Sequence, residues 1–157
     1  MVRKFLAAAL VVIPSPALAA PAPVFLQDAI QGNYSEVTLG RMIQRQGSSQ
    51  QVRSFGGMLV GDHTKALEQA EGIAARMHLR IPATLSPAAR REQRLLQHLS
   101  GASFDREVRR YMIEDHQKDI AQFRAQVRSG DRATAGYAAA TIPVMQHHLS
   151  MARALRA

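Results

Sequence analysis

Val52, Gly56, Leu59, His63, Ala66, Ala70, Ile73 and Met77 are separated by alternating steps of four and three. That spacing puts every one of them on a single face of an α-helix, and no strand period reproduces it. Two further stretches also step by threes and fours, without strict alternation. One reads Val108, Met112, His116, Ile120, Phe123, Val127, and the other Tyr137, Ala140, Val144, His148, Met151, Leu155. A first helix is expected from about Val24 to Gln46, ended by Gly47. Its face carries Ala29, Gly32, Glu36, Gly40 and Ile43. No stretch alternates in the way a half-buried strand requires.

Punctuation between the stripes sets the element order. Ser48 or Ser49 caps the second helix, which runs to about Leu79, where Ile81-Pro82 ends it. Ser86-Pro87 reads as a cap with proline at the first helical position, opening a short helix to Leu99 that Gly101 stops. Ser103 caps the third long helix, with Asp105 and Glu107 suiting its dipole. Asp131 caps the last, which runs to Arg156. Pro143 lies inside it and predicts a kink, because it frees the carbonyl of Ala139. The expected fold is all-α: an antiparallel four-helix bundle with a short extra helix between the second and third long helices.

The first nineteen residues have a different character. Arg3 and Lys4 precede an apolar run from Phe5 to Ile13, Pro14 and Pro16 break it, and Ala17-Leu18-Ala19 offers small residues to a signal peptidase. Residues 1–19 are therefore expected to be a cleaved secretory signal, and 20–157 a single helical-bundle domain in the periplasm or outside the cell. The chain contains no cysteine, which excludes disulfides, thiolate nucleophiles, thiolate-bound metal and lipid attachment. The formal net charge of +8 first suggests nucleic acid, but an exported protein works away from it. No nucleic acid partner is expected, and an anionic envelope surface is the expected partner of arginines spread along the chain.

One phrase occurs twice: Asp62-His63-Thr64-Lys65 and Asp115-His116-Gln117-Lys118. Both histidines fall on apolar stripes. Each long helix thus places one ionisable group on its inner face near its middle: Glu36, His63, His116 and His148. Gly32 and Gly40, one turn either side of Glu36, leave room around its carboxylate. A buried carboxylate or imidazole costs several kcal/mol unless it is paired or bound. Metal binding answers that cost, since three imidazoles and a carboxylate can complete a shell for iron, zinc, manganese or copper. Asp62 and Asp115 would then orient imidazoles from outside the shell, or ligate themselves. The other answer is a dry hydrogen-bonding network that fixes helix register in a non-catalytic structural or interaction protein. His147, the neighbour of His148, is an alternative inner residue, whereas His78 and His98 read as surface histidines. No Gly-x-Ser-x-Gly, His-Glu-x-x-His or phosphate-loop motif is present, so no catalytic residue is assigned.

The order of several short motifs carries a resemblance. These are Phe25 and Ala29; Gly32-Asn33-Tyr34-Ser35-Glu36-Val37 with Leu39-Gly40; Val52-Arg53-Ser54-Phe55, Met58 and Asp62-His63. They continue with Leu99-Ser100-Gly101, Phe104-Asp105, Tyr111, Asp115-His116, and Pro143 with His148-Leu149. Across essentially the whole chain after residue 19 the sequence resembles the bacterial secreted family called domain of unknown function 4142, usually described as ferritin-like. The resemblance implies a helical bundle and export, and brings no established activity. A ferritin-like di-iron site needs Glu-x-x-His on two helices. Here Val60, Ile113 and Met145 stand three residues before His63, His116 and His148, so ferroxidase activity is not implied.

Overall fold

The computed structural model describes residues 18–129 and 131–156. The expected signal segment therefore falls, apart from Leu18 and Ala19, outside the described residues. Five helices follow in order: α1 (Ala22–Gln46), α2 (Gln50–Arg76), α3 (Pro87–Leu96), α4 (Gly101–Val127) and α5 (Arg132–Ala154). No strand occurs among the described residues.

The caps explain most of the boundaries. Ser49 accepts from the Val52 amide, Ser86 from Ala89 and Asp131 from Thr134, each satisfying an amide that the first helical turn leaves without a partner. Three expectations need correction. Gly101 does not end the short helix: it is the first residue of α4, with φ at 56°, a left-handed value that glycine adopts without penalty. Ser103 is not the cap, and its hydroxyl donates to the Ser100 carbonyl at 2.8 Å. Asp105 does not serve the helix dipole. It is buried and accepts from the backbone N–H of Ser48 at 3.0 Å and from the Ser48 hydroxyl, tying the α1–α2 turn to α4.

α1 packs chiefly on α2 and α4 on α5, while α2 also meets α5. The α1–α2 contact is a backbone approach. A Cβ on Gly56 would lie 2.5 Å from the Gln44 nitrogen and 2.7 Å from the Gly40 oxygen, and a Cβ on Gly40 would lie 3.0 Å from the Gly56 oxygen. Gly40 thus serves helix packing and does not make room for Glu36. α3 is held to α1 by the Ser86 N–H donating to Ser35 Oγ at 2.9 Å. It is held to α4 by Glu92, which accepts from Arg110 at 3.4 Å.

The apolar core comes in two clusters. One joins the C-terminal half of α1 (Leu39, Met42, Ile43) to the start of α2 (Val52, Phe55, Leu59), the start of α4 (Phe104, Val108, Met112) and the end of α5 (Ala152). The other joins the start of α1 (Phe25, Leu26, Ile30) to the end of α2 (Ala70, Ile73), the end of α4 (Ile120, Phe123) and the start of α5 (Tyr137, Ala138). Between them lies a polar layer, to which α1, α2, α4 and α5 each contribute near their middles.

Candidate metal centre

His63 on α2, His116 on α4 and His148 on α5 are buried in that layer at 6%, 2% and 0% exposure. Their ring centroids are 5.0 to 5.7 Å apart. Each can offer one nitrogen such that all three nitrogens lie within 4.8 Å of one another.

The surrounding hydrogen bonds decide which nitrogens carry protons. Asn33 donates through Nδ2 to the Ala29 carbonyl at 2.7 Å and to Tyr137 Oη at 2.8 Å. A carbonyl can only accept, so the amide is fixed with Oδ1 toward His63 Nδ1, 2.9 Å away. His63 Nδ1 must then carry the proton. Its Nε2 is left with a bare lone pair, buried and without a partner. His148 Nε2 donates to Asp62 Oδ2 at 3.2 Å, so in the neutral ring Nδ1 holds the lone pair. That Nδ1 faces His116 Nε2 at 3.3 Å, while His116 Nδ1 makes no hydrogen bond of good geometry, the ring having only the Met112 backbone one turn back as a weak partner.

Burial sets the charge of the cluster. Desolvation, followed by the influence of His116 and His148, holds the His63 pKa well below the usual imidazole value. Desolvation and then His148 push His116 down to about 3. His148 is also lowered by burial, with its bond to Asp62 pulling the other way. The three rings are neutral near pH 7, which is the form that binds metal.

Glu36 does not complete this set, contrary to the expectation of four groups meeting together. It belongs to a second group with Asp115 and His116, whose offered atoms also lie within 4.8 Å of one another. The reason is azimuth: α1 turns Glu36 toward the α4 residue that precedes His116. Both Glu36 oxygens are buried and receive no hydrogen bond from an N–H or hydroxyl donor, although Glu36 and Asp115 lie close enough to share a proton. Burial first, then Asp115 and Asp119, raise its pKa well above the carboxylate norm. Asp119 is pushed up to about 8, by burial and then by Asp115, against the pull of Lys118.

Several expectations resolve at this level. His148 is the inner histidine and His147 is exposed, as are His78 and His98. Lys65 and Lys118 of the repeated phrase are exposed, and the helix continues through Pro143. Asp62 orients an imidazole, that of His148, which lies on another helix. Sequence reasoning missed Asn33, Asp119 and Tyr137. Asn33 stands three residues before Glu36, on the same helical face, and that spacing was the available signal.

Long helices around an inner layer of histidines and carboxylates define an all-helical protein with a candidate metal centre. The chain belongs to the family described as Domain of unknown function (DUF4142), whose pattern matches residues 8–155. In shape it is similar to the crystal structure of a DUF305 fragment from Deinococcus radiodurans. The TM-score is 0.75 and the identity 18%, over 88% of this chain and 97% of the other. That likeness concerns the fold. No curated protein matches the chain.

Proposed function

We propose that this is an exported protein, built as an antiparallel four-helix bundle of ferritin-like type, that holds one transition metal ion at His63, His116 and His148. The observation that carries the reading is the set of lone pairs at the centre of the layer. Zinc–nitrogen bonds of about 2.0–2.1 Å put tetrahedral ligand atoms roughly 3.3 Å apart. His116 Nε2 and His148 Nδ1 are 3.3 Å apart, long for a hydrogen bond and suited to two corners of such a tetrahedron. The orphaned His63 Nε2 supplies a third corner. Asn33 and Asp62 occupy the opposite nitrogens of His63 and His148, as acceptors that orient metal-binding imidazoles do. A neutral all-imidazole set favours zinc, copper or iron over manganese. A cavity of about 270 Å³ between α2 and α5, lined by Asp62, His63 and Thr141, gives access to the layer. The protein's task would be sequestration in the envelope.

The competing dry network leaves the His63 lone pair buried and unmatched, which makes it the weaker account. Metal analysis of untagged protein separates the two. About one ion per chain is expected, lost on His63→Ala or His116→Ala. Substoichiometric metal that neither substitution changes rejects the site.

Export rests on residues 1–19, and N-terminal sequencing of the mature protein from the periplasmic fraction tests it: the expected first residue is Ala20. Arg90, Arg91, Arg94, Arg106 and Arg109 are all exposed on α3 and α4, which supports docking on anionic envelope surfaces. Binding to anionic vesicles should weaken as salt rises.

A further inference from the structure

The three-histidine centre uses nothing of Glu36. This carboxylate is 2% exposed, and neither oxygen receives a hydrogen bond from an N–H or hydroxyl donor; the one neighbour with which it can share a proton is the Asp115 carboxylate. Among the described residues no lysine or arginine forms an ion pair with it. Asp115 and His116 lie against it, with one atom of each of the three residues within 4.8 Å of the others. A buried carboxylate beside a second carboxylate is costly unless a cation or a proton sits between them.

A shared proton leaves one negative charge on the pair, and a divalent cation would balance both carboxylates. A cavity of about 310 Å³ bounded by α1, α3 and α4 reaches Asp115, with Asp28, Asp119 and Tyr111 but also Arg91 and Lys118 on its walls; Glu36 and His116 lie behind Asp115, off the wall. It is a different opening from the one between α2 and α5 that leads to His63. A Cβ on Gly32 would make only an ordinary contact, 3.9 Å from Asp119 Oδ2, so this glycine does not make room for Glu36.

We propose that Glu36, Asp115 and one nitrogen of His116 form a second cation site, loaded from the α1/α3/α4 cavity, that takes a hard divalent ion of the manganese(II) or iron(II) class. Two carboxylates balance the charge of such an ion, which three neutral imidazoles cannot. Oxygen-rich donor sets also select harder ions than imidazole does. The proposal shares His116 with the three-histidine reading and rests on it for that residue alone. A neutral imidazole has one lone pair, so His116 serves both ions at once only as a bridging imidazolate whose ring proton is released to solvent; otherwise the two sites compete for it. The two sites are thereby chemically sorted: softer ion toward α2 and α5, harder ion toward α1.

The test is manganese(II) binding to untagged full-length protein, followed by electron paramagnetic resonance, with cobalt(II) absorption reporting the histidine site in parallel. Wild-type protein is expected to bind one manganese(II) per chain. Glu36→Gln with Asp115→Asn should weaken that binding by more than the about 10–100-fold that loss of an outer-shell partner costs, and leave the tetrahedral cobalt(II) bands in place. His63→Ala with His148→Ala should do the reverse, removing the cobalt(II) bands and sparing manganese(II). Circular dichroism verifies the fold, and Glu36→Gln alone, a neutral isostere, replaces the double variant if that does not fold. Absence of manganese(II) binding by the wild type overturns the proposal, as does binding that survives Glu36→Gln. Loss of the cobalt(II) signal alone counts only against the histidine centre.

Discussion

The side-chain oxygen of Asn33 on α1 stands 2.9 Å from Nδ1 of His63 on α2, and this bond fixes which nitrogen of His63 faces the centre of the layer. The amide cannot flip, because its nitrogen is committed to the Ala29 carbonyl and to Tyr137. A backbone carbonyl and a phenol thus both hold the amide, the amide holds the imidazole, and one lone pair is prepared.

Asn33→Ala should free His63 to change tautomer and rotate without disturbing the ring itself. Metal affinity should fall by about 10–100-fold, the usual cost of losing such a partner. Competitive titration with a chromophoric chelator reads this directly. Unchanged affinity would mean that packing, and not Asn33, orients the ring.

Gly56→Ala tests the backbone contact between α1 and α2. The new methyl would meet the Gln44 nitrogen and the Gly40 oxygen, neither of which can move aside as a flexible side chain would. Overpacking of this kind costs about 1–3 kcal/mol, so the thermal midpoint should drop by several degrees. Gly61→Ala is the control: nothing lies within 4 Å of its Cβ position, and the gain in helix propensity should leave stability unchanged or slightly higher.

The α2 stripe was legible in the sequence, though Phe55 and Ala74 are buried beside it. Of its eight positions, Val52 to Ile73 are buried and Met77 is partly buried. The α5 stripe was legible only in part. Ala140 and Val144 are exposed, while Thr141 and Met145 are buried in their place. The segment from Tyr137 to Met145 is apolar on nearly all sides, so its period has too little contrast to select a face. The candidate site divides in the same way. Position along each helix fixed the level at which Glu36, His63, His116 and His148 meet. Which of them touch depends on how the helices are rotated and which are neighbours, and periodicity within one helix does not contain that. Asn33 was overlooked because a neutral amide carries no sign of burial until its partner on another helix is known.

Glu92 supplies a pH dependence remote from the histidines. Burial first, then Glu107, raise its pKa to about 7 against the pull of Arg110. The native state therefore binds a proton that the unfolded chain, with a carboxylate near 4.5, has already released. Stability from this group is full below about pH 4.5 and is lost as pH rises through about 7. Glu92→Gln should remove that loss, so the variant gains on the wild type between pH 5 and about 8. Thermal midpoints measured across that range should diverge upward for glutamine, and parallel curves would show that Arg110 keeps Glu92 ionised throughout.

Asp105 is the residue whose role departs furthest from its sequence context, and removing it isolates a purely structural bond. Its carboxylate, 1% exposed, accepts from both the amide and the hydroxyl of Ser48 in the α1–α2 turn. Asp105→Ala leaves that amide without its acceptor in a part-buried setting, at a cost of about 1–3 kcal/mol. Asp105→Asn keeps one carbonyl oxygen in place and should recover part of the loss, because the amide of Ser48 still finds an acceptor while the hydroxyl bond loses its charge assistance. Urea denaturation should rank the proteins wild type, asparagine, alanine. Metal content should be the same in all three, since Asp105 bonds to the α1–α2 turn and belongs to neither group of candidate ligands. A variant that loses metal as well as stability would show that the α1–α2 turn, held by this bond, governs how α1 and α2 bring Asn33 to His63.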